Sequence, residues 1–339
     1  MRFLLFLLAA VAPAVAQWQT QDSGTDVSLR GISAVSSKVA WASGAKGTVL
    51  RTVDGGGHWE RLTVPDAQQL DFRDIQAFSE TTAYVLSIGP GEQSRIYKTT
   101  DAGQHWQLQF INHQAKAFYD CFSFWDEKHG IALSDSVDGS FPLLFTSDGE
   151  SWSPLHPSQM PAALPNEGAF AASGTCVATA GKSDVWFATG GPAARVFHSA
   201  DRGHTWTVVT SPLLSGAAAQ GIFSVAFRDR KTGVIAGGDY EHPANQQQNF
   251  AYTHDGGAHW TLAKIQPGGY RSAIAFPGTS KEVLIAVGLT GSDYSTDGGN
   301  TWLPLDPAEY NALSFAGPRA GWAVGAKGRI AKFTGLPKN

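Results

Sequence analysis

The stretch Ser295-Thr296-Asp297-Gly298-Gly299-Asn300-Thr301-Trp302 decides the fold, because the chain repeats its frame. A hydroxyl residue is followed by Asp two positions on, Gly two further and Trp three beyond that. The frame recurs at 52–59 (TVDGGGHW), 99–106 (TTDAGQHW), 199–206 (SADRGHTW) and 253–260 (THDGGAHW), and shortened by one residue at 146–152 (TSDGESW). The aspartates Asp54, Asp101, Asp148, Asp201, Asp255 and Asp297 stand 47, 47, 53, 54 and 42 residues apart. Self-similarity at such a period marks a repeat architecture.

Each box reads as a hairpin turn. Asp hydrogen-bonds its own following amides, and Gly accepts a positive φ without steric cost. A β-like run precedes each box, as in Arg95-Ile96-Tyr97-Lys98, and polar/apolar alternation follows it, as in 59–64 (WERLTV). The tryptophans Trp59, Trp106, Trp152, Trp206, Trp260 and Trp302 supply a large apolar body beside each turn. The box is therefore structural. Its aspartates have no partner acid at fixed spacing, and its histidines (His58, His105, His204, His254, His259) are turn residues rather than a metal cluster.

Six S/T-x-D-x-G-x-x-W units resemble the Asp-box (BNR) repeats of β-propellers in sialidases, sortilin-type domains and photosystem II assembly and stability factors. The last family is the most similar, on the phrases 29–32 (LRGI), 39–47 (VAWASGAKG) and 52–56 (TVDGG). The resemblance covers nearly all of the chain after residue 16. It implies an all-β propeller of four-stranded antiparallel blades and a role in assembling or stabilising another protein.

The blade count follows from the frame. In the first repeat the strands are expected at 29–35, 38–43, 47–52 and 59–64. Inner strands are expected again at 72–78, 119–125, 175–179, 222–227, 272–276 and 311–315. The last repeat, 320–333 (AGWAVGAKGRIAKF), mirrors the first but has no box and no fourth strand. Residues 17–20 (QWQT), with Trp18 in place of the box tryptophan, supply that strand and close a ring of seven; six or eight blades are the alternatives.

Residues 1–16 have the form of a secretory signal peptide: Arg2, an apolar run over 3–11, and Ala14-Val15-Ala16 before the cut. The expected product is an exported, monomeric single domain over 17–339, with no membrane span. A net charge of −4 argues against a nucleic-acid partner. Cys121 and Cys176 occupy inner strands of neighbouring repeats and are a disulfide candidate in an oxidising compartment, with two buried thiols as the alternative. No cofactor motif or metal-ligand spacing is present.

Propeller geometry divides the loops. Box turns lie on one face, and the long connections 87–94, 135–142, 154–169, 211–221 and 239–249 lie on the other, where binding residues concentrate. Residues opening the inner strands ring the channel mouth on that long-loop face. Arg30, Arg73, Tyr119, Tyr270, Arg271 and Asn311 are the candidates for binding a partner protein, an anionic small ligand or a glycan, since guanidinium grips planar oxyanions bidentately. Asp74, Asp120, Glu309 and Tyr310 are the catalytic candidates if the chain is a sialidase-like glycoside hydrolase, which needs two placed carboxyls or a tyrosine nucleophile. Arg30-Gly31-Ile32 departs from the Arg-Ile-Pro of sialidases. The expectation is a binding scaffold, with the hydrolase and an exported oxidoreductase as alternatives.

Overall fold

The computed structural model describes residues 17–278, 280 and 282–337; the expected leader lies outside them. Seven antiparallel sheets are arranged as the blades of a propeller. Blade 1 runs through 29–34, 40–44, 48–52 and 60–63, in simple sequential order. Blade 7 pairs 312–317, 320–324 and 330–333 with the N-terminal strand Trp18–Gln21, whose register is Trp18 to Phe333 through Gln21 to Ile330. The first and last strands of the described residues thus complete one blade, which closes the ring.

The boxes fold as their residue types require. The Thr52 hydroxyl donates to Asp54 Oδ1 (2.8 Å) and accepts from the Gly56 amide (2.8 Å), while Asp54 Oδ1 accepts from the His58 amide (3.0 Å). Boxes at Asp101, Asp201, Asp255 and Asp297 repeat this pattern. In the shortened box the same carboxylate caps the amides of Glu150 and Ser151. These bonds favour the charged form and hold Asp101, Asp148 and Asp201 at about 2, although burial partly opposes the shift.

The apolar core sits between blades rather than at the axis. Trp41, Val49 and Leu62 of blade 1 pack on Phe72, Ile75, Val85 and Tyr97 of blade 2, and a similar cluster fills each of the other junctions. The axis itself is lined by polar groups that tie neighbouring inner strands together. Ser33 Oγ accepts from the Ala77 amide and Ser224 Oγ from the Ile274 amide, at 3.0 and 3.1 Å.

Blades 4 and 5 depart from the plain repeat. The inner strand of blade 4 is only Val177–Ala180, against six to eight residues in blades 1 to 3. A two-residue strand, Gly190–Gly191, adds a fifth member to the sheet of blade 5. Cys121 of the inner strand of blade 3 forms a disulfide with Cys176, the residue just before the inner strand of blade 4, with Cα atoms 6.1 Å apart.

Candidate functional site

On the long-loop face, a cavity of about 320 Å³ opens at the channel mouth. Of the six binding candidates it brings together four: Arg30, Arg73, Tyr270 and Asn311. Arg30 and Arg73 open the inner strands of blades 1 and 2. They are close enough that repulsion from Arg73 adds to burial in pulling Arg30 below its ordinary value. The remaining wall is apolar: Phe170, Phe223, Tyr240, Tyr270 and Leu289. Tyr240 and Leu289, at 43 % and 40 % exposure, are the solvent-facing edge of that wall. The mouth is thus cationic on one side and aromatic on the other.

The floor of the mouth is the segment 169–175, most of which lies between the expected long loop 154–169 and the expected inner strand 175–179. Residues 169–175 connect blade 3 to the short inner strand of blade 4 and cross the channel on the way. The carbonyl of Ala171 accepts from Arg73 Nη1 (2.9 Å) and that of Ala172 from Arg30 Nη1 (3.5 Å). Ser173 Oγ donates to the Ser272 carbonyl of blade 6 (2.7 Å), and Thr175 Oγ1 to Ser224 of blade 5 (2.7 Å). Phe170 stacks on Phe223 with ring centres 3.8 Å apart. The Ala169 amide donates to Asp135 of blade 3 (2.9 Å). Gly174 adopts φ +74°, and a Cβ there would lie 2.3 Å from Asp74 Oδ1, so only glycine fits. One signal was available: apart from Phe170, the run 169–174 is made of small residues.

Arg271 is not in the mouth. Its guanidinium is buried, donates from Nε and Nη2 to Asp293 Oδ2, and reaches the Tyr270 carbonyl and Thr290 Oγ1 through Nη1 (2.8 and 2.7 Å). An arginine at a strand opening is expected to face the channel, but Asp293 on the third strand of blade 6 draws Arg271 into the blade. Tyr119 likewise lies on a separate groove beside Phe141, Pro142 and Pro157, and its ring packs on Phe110.

The catalytic candidates do not converge on the cavity. Asp74 is buried and accepts from the Phe122 amide of blade 3 (2.8 Å), the same strand-tying role that Ser33 and Ser224 play. Asp120 is buried as well; the amides of Asp135 and Ala171 face its carboxyl, while its Oδ2 has no hydrogen-bond partner. Desolvation raises both well above the ordinary carboxylate value, and lifts Asp135 to about 6. Tyr310 is buried against Trp18 at 5.5 Å, with its hydroxyl pushed by burial to about 12. Glu309 is exposed, and its backbone carbonyl accepts from Arg329. None of these four lines the cavity with Arg30 and Arg73; the acid beside the arginines is Asp71, which is paired with Arg73 (2.9 Å). Among the described residues, no group of three or more His, Cys, Asp or Glu is placed to hold a metal ion, and no helix is long and apolar enough to cross a membrane.

Residues 10–112 match the family model described as photosynthesis system II assembly factor YCF48. Over 381 aligned positions the chain is 24 % identical to photosystem II assembly protein Ycf48 of Synechococcus sp. (strain JA-3-3Ab), covering 98 % of this chain and 94 % of that protein. Among solved structures it superposes on YCF48 bound to D1 peptide with a TM-score of 0.68, at 15 % identity, covering 95 % and 98 % of the two chains. YCF48 from Cyanidioschyzon merolae gives 0.63 at 18 % identity, covering 94 % and 99 %. The chain is an Asp-box propeller similar to photosystem II assembly factors along nearly its whole length.

Proposed function

We propose that the protein is an exported scaffold that binds a segment of another protein at the channel mouth and aids its assembly. The observation that carries this reading is the mouth itself. Arg30 and Arg73 each give one Nη to the floor carbonyls, and Arg73 Nε is taken by Asp71 (2.9 Å); the other guanidinium N–H groups remain for an incoming acceptor. An acidic side chain or chain terminus would satisfy them, and an adjacent apolar side chain would cover Tyr240 and Leu289. The similar propeller that carries a D1 peptide supports a protein segment as the occupant. Export rests on the form of residues 1–16 and agrees with the Cys121–Cys176 disulfide, since such bonds persist outside the cytosol.

The glycoside hydrolase reading has no support in the arrangement: of the four acids and phenols proposed for it, three are buried in structural roles and the fourth stands clear of the cavity. The scaffold reading is tested by affinity capture from an exported fraction, comparing the native protein with the double variant Arg30→Glu, Arg73→Glu. Capture of a specific partner should fall at least tenfold while the thermal unfolding curve stays in place. Equal recovery by the variant would remove the mouth as the contact surface.

A further inference from the structure

In blades 1 to 3 the inner strand is hydrogen-bonded to its own sheet up to the level of the mouth, beginning at Leu29, Asp71 and Tyr119. Blade 4 differs from these, as does blade 6, whose inner strand is only Ala273–Ala275; the segment that leads into the blade 4 strand is the one that crosses the channel. The blade 4 strand begins at Val177, and the last backbone bond to its own sheet runs from the Ala188 amide to the Cys176 carbonyl (3.0 Å). Above that point the chain leaves the sheet and becomes the channel floor. The disulfide is placed at this departure: Cys176 is covalently tied to Cys121, the residue after Asp120, whose carboxyl faces the Ala171 amide of the same floor.

The floor also has a positioning task. Arg30 and Arg73 carry like charges close together, and each is held by a consecutive floor carbonyl, Ala172 and Ala171. Guanidinium groups that repel need fixed acceptors to remain converged. A floor that shifted would release them from each other.

We infer that the Cys121–Cys176 disulfide is the lock that seats segment 169–175 across the channel, so that the two-arginine mouth is formed only in the oxidised protein. Cys121 and Cys176 are then positioning residues for the binding site, rather than a staple for the propeller as a whole. Locking is an ordinary thiol–disulfide exchange with a disulfide-bearing oxidant: the two cysteine thiols lose two protons and two electrons, one S–S bond forms between them, and the oxidant leaves as a dithiol. Both sulfurs are fully buried, which fits a bond made during folding and kept afterwards. The ring has other closures at this junction, including the Ser123–Thr179 hydroxyl contact (3.0 Å) and the apolar cluster of Ile131, Phe141, Phe187 and Trp206, so the blades hold without it.

The test is hydrogen–deuterium exchange on the oxidised protein and on the double variant Cys121→Ala, Cys176→Ala, with the oxidised protein treated with dithiothreitol as a second comparison that avoids mutation. The expected result is exchange at least tenfold faster for amides within 169–175, with protection in blades 1, 2 and 6 unchanged. Unchanged exchange at 169–175 in both comparisons would overturn the inference. So would loss of protection throughout the ring, because the bond would then be a global staple. This readout needs no partner, so it stands apart from capture by the arginine variants: faster floor exchange with capture insensitive to Arg30→Glu, Arg73→Glu would leave the lock intact and sink the proposed function.

Discussion

Three arginines open inner strands of this propeller, and their neighbours decide what each one does. Arg271 is buried with Asp293 and serves the blade, whereas Arg30 and Arg73 remain partly exposed at the mouth. Removing one partner of a buried ion pair leaves an uncompensated charge, so Arg271→Ala should lower the urea-unfolding free energy by about 3–5 kcal/mol. Arg30→Ala should change it by less than ~1 kcal/mol. Asp135 supports a prediction of opposite sense to the usual carboxylate. Its folded value of about 6 lies above the unfolded value near ~4, so the folded protein binds this proton more tightly. Its contribution therefore opposes folding above about pH 6 and disappears as pH falls below ~4. Asp135→Asn keeps an acceptor for the Ala169 amide without the charge. It should stabilise the protein by about 1–3 kcal/mol at pH 7.5, and by much less at pH 4.5, in paired urea titrations.

At the scale of the element, each box is a turn held by a hydroxyl and a carboxylate working together. Ser199 Oγ is buried; it accepts from the Gly203 amide and donates to Asp201. Ser199→Ala leaves that amide unsatisfied and should cost about 1–3 kcal/mol, read from chemical denaturation at neutral pH. The box carboxylates also set the acid limit. Asp201, held at about 2 by hydrogen bonds from Thr205 and Ser199 that outweigh its desolvation, supplies stability that is complete above ~4 and lost as pH falls toward 2. Acid stability should thus decline only below pH ~4, while the Asp135 penalty sets in above that pH and is complete above about pH 6; thermal melts from pH 2 to 8 would show both arms.

Across the whole molecule, closure depends on one short strand. Trp18 is almost fully buried among Tyr310, Phe315 and Phe333, and its indole N–H donates to Ser292 Oγ of blade 6 (3.1 Å). It joins the strand Trp18–Gln21 both to the last blade and to the one before it. Trp18→Ala should cost about 3–5 kcal/mol and should increase exchange first in blades 6 and 7, as followed by hydrogen–deuterium exchange. If the loss were spread evenly over all seven blades, the ring would be unfolding as one unit rather than opening at its seam.

The repeat, the seven blades, the closing strand and the face on which long loops gather were all legible in the sequence. Those features are local or periodic: a box specifies its own turn, and the turn fixes the phase of every strand around it. The sequence also placed Arg30 and Arg73 together, because equivalent positions in adjacent repeats must be neighbours. What it left open depends on contacts between distant, non-equivalent residues. The floor that crosses the channel is held by bonds such as Arg73 to Ala171 and Arg30 to Ala172, 98 and 142 residues apart, which no period predicts. The diversion of Arg271 to Asp293, and the use of Asp74 as a strand tie, were equally invisible. Only the tertiary structure decides these, because burial and the nearest available partner, rather than residue type, set where a charged side chain comes to rest.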